Sequence, residues 1–113
     1  MADNTLQDVL DSIKGDAASQ AKAQLQQMLS DAKGASQQFV QSCAEQLEQW
    51  LIDLHSGETT PLEFNKLIAS QEILARQFVL SQAAATRQRA EELTINLLEF
   101  TAEKIAPAVI LAL

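Results

Sequence analysis

Residues 61–107 read PLEFNKLIASQEILARQFVLSQAAATRQRAEELTINLLEFTAEKIAP. Between Pro61 and Pro107 there is no glycine and no other proline. The stretch is filled with Leu, Ala, Gln, Glu and Arg, which are good helix formers. Read as one helix over 61–106, it would be about 65–70 Å long. A compact domain of this chain length has a radius of gyration of only about 13 Å. The expected architecture is therefore all-α and elongated: a long antiparallel helical hairpin rather than a globule.

The other leg is sought upstream. Residues 16–54 carry apolar positions Leu25, Met28, Leu29, Ala32, Phe39, Cys43, Leu47, Trp50, Leu51 and Leu54. Met28, Phe39 and Trp50 recur every eleven residues, as do Ala32, Cys43 and Leu54. Eleven residues make about three turns, so such a stripe runs nearly straight along one helix. Gly34 is the weak point. It reads either as a helix end, with Ser36 capping a new helix, or as an interior residue costing about 1 kcal/mol relative to Ala. The stripe favours continuity.

Between the legs stands His55-Ser56-Gly57-Glu58-Thr59-Thr60. Gly57 suits a left-handed residue after a helix end. Thr60, Pro61 and Glu63 read as N-cap, N1 and N3 of the next helix, a capping box. Residues 55–60 are thus a turn between adjacent antiparallel helices. Upstream, Leu6, Val9, Leu10 and Ile13 form one apolar face of a short helix within residues 1–15, capped by Asp3 or Asn4. Downstream, residues 107–113 form an apolar tail, which buried against that first helix would complete one end of a bundle. Chain 1–113 is expected to be a single domain.

Two legs alone bury little. One stripe of each gives a thin return, at about 25 cal/mol per Å², against the entropy of ordering the chain. The apolar positions are also too broad for one neighbour: Leu51 and Ile52 beside Trp50, and Val79 and Leu80 beside Phe78, point several ways. A homodimer forming a four-helix bundle would cover them. Phe39, Cys43, Trp50, Phe78, Leu93, Leu97 and Phe100 are the candidate interface. The rival reading is a monomeric bundle broken at Gly15, Gly34 and near Ala83.

Composition excludes several functions. The net charge is −7, and no cluster of Lys or Arg is visible beyond Arg87 and Arg89. Nucleic-acid binding and attachment to an anionic membrane both need concentrated base, so neither is expected. No apolar run is long enough to span a bilayer. Cys43 is the one cysteine, and the start Met-Ala-Asp-Asn-Thr lacks the regions of a signal peptide. Those features read as cytoplasmic.

Candidate chemistry is sparse. A metal reading of His55 would recruit Asp53 or Glu58, but the Glu-x-x-His spacing of helical di-metal sites is missing, because Ile52 stands three before His55. Cys43 lies on the apolar stripe, where a thiol is a small core residue rather than a nucleophile. Glu92, Glu99 and Glu103 share one helix face with nothing to split their acidities, so they read as a solvated face. No catalytic residue, metal or cofactor is expected. The expected role is non-catalytic protein–protein interaction or assembly, in an adaptor or chaperone-like manner. The alternative is an amphipathic protein that lies on a lipid surface, a mode that usually places Lys and Arg on the polar face.

Overall fold

The two prolines bounding the quoted stretch do different things. Pro61 starts a helix where its missing N–H costs nothing. Thr60 caps that helix: its hydroxyl accepts from the Glu63 N–H at 3.1 Å, and the Glu63 carboxylate accepts from the Thr60 N–H at 3.0 Å. Gly57 closes the preceding helix at φ 87°, in the left-handed region that a side chain disfavours. The turn spans residues 57–60; His55 and Ser56, expected within it, belong to the end of the preceding helix. Pro107 instead falls inside a helical run, and the backbone there widens into a π-turn over Thr101–Ile105. The Ala106 N–H reaches back to the Thr101 carbonyl, five residues away. That wider turn relieves the clash of a proline ring with the preceding turn of a regular helix.

The computed structural model describes residues 5–113, apart from the side chains of residues 16 and 17. Its helices are α1 (Leu6–Ser12), α2 (Asp16–Lys33), α3 (Gln38–Ser56), α4 (Pro61–Leu80), α5 (Ala84–Leu93), α6 (Ile95–Phe100) and, after the π-turn, α7 (Ala106–Ala112). No strand occurs among the described residues. The Cα radius of gyration is 13.9 Å and the extents are 43 × 26 × 26 Å.

The chain is therefore far shorter than a hairpin with a leg of 65–70 Å. Residues 61–106 are not one helix, and 16–54 are not another. The first leg breaks over residues 34–37. Gly34 and Ala35 make the last backbone bonds to Ser30 and Ala32, and Gln37 is extended. Gln37, rather than Ser36, precedes the first turn of α3. The second leg breaks over 81–83, where Ser81 turns its hydroxyl onto the Phe78 carbonyl at 2.6 Å and Ala83 is extended. Helix propensity runs high on both sides of this break and loses to burial. Folding back there gives up a few helical hydrogen bonds, each worth about 1 kcal/mol net. In exchange, whole apolar faces leave water.

The result is a bundle of four helical runs inside one chain. α2 packs on α3, α3 on α4, α4 on α5 and α6, and the C-terminal run returns to pack on α2. Short connections make the neighbours antiparallel. α1 closes one end against α3 and α7. Its N-cap is Thr5, in a box with Asp8; the caps read at Asp3 and Asn4 lie outside the described residues. Val9, Leu10 and Ile13 are buried with Ala106 and Val109 in one core cluster that extends through Leu25, Leu47, Leu54, Phe64 and Leu97. The apolar tail is thus half resolved in favour of burial: Val109 is inside, while Leu111 is 87% exposed.

A second copy is not what builds this core, because the chain itself supplies the third and fourth helical runs. The alanines at 83–85 are exposed. Thr60→Ala should lower the unfolding free energy by about 1 kcal/mol in a urea titration. Gly57→Ala should cost roughly 1–2 kcal/mol, because it forces a β-carbon into left-handed backbone. Unchanged midpoints for both would mean that this turn does not hold α3 and α4 together.

Candidate interaction surface

Cys43, Leu93 and Leu97, three of the seven residues proposed for an intersubunit seam, are buried within the chain. They can meet a second copy only if the bundle opens. Phe39, Trp50, Phe78 and Phe100 are half-buried and packed on the core cluster. Phe39 and Phe78 stack on each other, with ring centroids 4.6 Å apart and planes 18° from parallel. That stack joins the start of α3 to the end of α4, and a charge at either position would unseat it. Beside it, the Gln37 and Gln82 side chains hydrogen-bond and tie the two broken connections to each other.

The polar residues singled out in the sequence are distributed rather than gathered. His55 is the last basic residue of α3 and half-buried, and its Nδ1 is buried with no hydrogen-bond partner. Among the described residues, no three His, Cys, Asp or Glu side chains are grouped to hold a metal ion. Arg87 donates from Nε to the Gln82 carbonyl at 3.1 Å, and Arg89 faces Asp31 of α2 at 4.0 Å. Arg87 thus ties α5 to the connection before it, while the exposed Arg89–Asp31 pair contributes little. Lys33 pairs with Glu48 between α2 and α3.

Burial pushes the Cys43 thiol above its ordinary range, with a Gln71 hydrogen bond acting weakly the other way. Glu72 is also raised, first by partial burial and then by Glu99; Arg76 at 3.7 Å opposes this and Glu103 adds to it. The acids read as an open solvated face thus influence a carboxylate of the neighbouring helix. No helix among the described residues is long and apolar enough to cross a membrane.

Large apolar side chains stay exposed in two places: Ile110, Leu111 and Leu113 at the C-terminal end, and a set of four on α4. α4 turns Phe64, Ile68, Gln71 and Ala75 inward. On its outward side Leu62 is 64% exposed, Ile73 57% and Leu80 70%. Leu74 is exposed on the flank. Exposed leucines scattered singly need no explanation; several on one helix face form a patch, and patches mark interaction sites. In the sequence Leu80 stands out but this face does not, because apolar side chains stand on both sides of α4. The signal was there in Leu62, Ile73 and Leu80, which share a face at helical spacing.

Two measurements check this arrangement. The Cys43 thiol should resist alkylation in the folded protein, react when urea unfolds it, and show no rise in rate across the ordinary thiol range. Rapid labelling of the native chain would contradict its burial. For Glu72, the folded state disfavours the charged form, so the cost is present at neutral pH and disappears below the ordinary carboxylate range. Glu72→Gln should therefore raise the urea midpoint at pH 7, and the gap should close as the pH falls through that range. A lower midpoint at pH 7 would mean that the Arg76 pairing outweighs desolvation and the neighbouring acids.

No family model matches the chain, and no curated protein or solved structure matches it either; the surface is to be read from its own residues.

Proposed function

We propose that this is a non-catalytic helical protein that acts by binding other polypeptides, with the outward side of α4 as its contact. One observation carries the reading: the large apolar side chains at Leu62, Ile73 and Leu80 lie outside a core that is already closed. Side chains not needed for folding, arranged at the spacing of a helix seam, favour a helix-in-groove or helix-on-helix partner. Such a part suits an adaptor or an assembly factor. The self-association expected from the sequence stays within this proposal, now as pairing of finished bundles rather than of hairpins through Phe39, Cys43, Trp50, Phe78, Leu93, Leu97 and Phe100. A lipid surface is the competing occupant. It is disfavoured by the acidic balance of the chain and by the few bases flanking the stripe, Lys66 and Arg76.

A photo-reactive phenylalanine analogue in place of Leu74, irradiated in intact cells, tests this. Adducts to a polypeptide, whether a copy of this chain or another protein, are expected. Adducts to lipid alone would replace the proposal with the membrane-surface reading.

A further inference from the structure

On its outward side α4 carries Leu62, Lys66, Ala69, Ile73, Arg76 and Leu80, at alternating spacings of four and three residues, all of them exposed. That is the spacing of a helix–helix seam. The core takes the opposite side of the same helix, through Phe64, Ile68, Gln71 and Ala75. The seam has a further property: its order is symmetric about Gln71. A leucine stands at each end, a base comes next inward from either side, and an apolar residue flanks the centre on both sides.

A surface that meets its own copy around a two-fold axis must be self-complementary. Two such helices running antiparallel about residue 71 set position 62 against 80, 66 against 76 and 69 against 73. Leucine then meets leucine at both ends. At the centre the small Ala69 of each copy leaves the hollow that Ile73 of the other fills. We propose that two copies of this chain pair through the outward side of α4, antiparallel, with the two-fold axis passing between Ala69 and Ile73 at the level of residue 71. The proposal rests on the interaction reading above and fixes its occupant as a second copy, because an unrelated partner would not require a symmetric seam.

Charge permits this pairing. α4 carries Glu63, Lys66, Glu72 and Arg76, which cancel, on a chain of net charge −7. α3, by contrast, carries Glu45, Glu48 and Asp53. Two acidic copies therefore meet less repulsion through α4 than through α3, a property that α2 and α5, whose charges also cancel, share. Lys66 and Arg76 would face each other across the seam, but both have long stems that cover apolar neighbours while the charged heads reach water. Arg76 is already turned toward Glu72, at 3.7 Å. A seam of this length buries on the order of 1,000 Å² in total, the lower edge of what stable pairs use. The pair should accordingly exchange with monomer, and salt should strengthen it by screening the remaining repulsion.

Sedimentation velocity of the full chain over a range of concentrations, in low and high salt, is the test. Wild type should pass from monomer to dimer mass as concentration rises, at lower concentration in high salt. Ile73→Glu, at an exposed position, should keep its helix content and weaken pairing by about tenfold or more. An oxidised mixture of Ala69→Cys and Ile73→Cys chains should form the mixed disulfide in preference to either same-residue disulfide, with buried Cys43 silent. A monomer at every concentration, a dimer indifferent to Ile73→Glu, or same-residue disulfides would each overturn the proposal. A purified monomer that still gives protein adducts at position 74 in cells would overturn the pairing and leave the interaction reading standing.

Discussion

Everything in this structure depends on the closure of the C-terminal run onto α2. Without it, α2, α3 and α4 form an open trough whose floor is Leu25, Leu29, Leu47, Leu51, Phe64 and Ile68, all buried in the finished molecule. The run α5–α7 roofs that trough with Leu93, Leu97, Leu98, Ile105 and Val109. Burial of a Leu or Ile side chain is worth about 1.5–3 kcal/mol. The backbone bonds surrendered at the two breaks are worth less than the side chains that closure removes from water. A chain with strong helical preference therefore accepts non-helical residues at 34–37 and 81–83.

The same balance explains the irregularities of the last run. Thr94 and Thr101 are both buried, and each donates its hydroxyl to the carbonyl four residues earlier, at 2.8 Å. A buried hydroxyl without such a bond would be costly. Back-bonding of this kind bends helices. It lies here at the kink between α5 and α6 and at the start of the π-turn. These bends let one long run follow the core that α2, α3 and α4 present.

Local signals were legible in the sequence and global ones were not. The Gly57–Glu63 turn, the apolar face of Leu6, Val9, Leu10 and Ile13, and the all-α class follow from capping chemistry and periodicity alone. The lengths of the legs did not, because absence of Gly and Pro permits a continuous helix without requiring one. The break at Ser81–Ala83 has no breaker residue; it is imposed by burial of residues remote in the sequence. Cys43, Leu93 and Leu97 stand on apolar stripes that periodicity reveals, but periodicity does not say which element covers them, and here they are buried within the chain. The outward face of α4 was hidden by a helix whose two sides are both apolar.

Sequence neighbours pack on one another throughout this bundle, with the return of the C-terminal run to α2 and α3 as the main exception. That exception has a bearing on synthesis. As the chain leaves the ribosome, α3 and α4 can meet around Gly57 early, since contacts close in sequence form quickly. The trough then stays uncovered until Leu97, Leu98, Ile105 and Val109 have emerged. During that interval the nascent protein exposes greasy surface on both sides of α4, and its protection from neighbouring nascent chains depends on how soon α5–α7 follow.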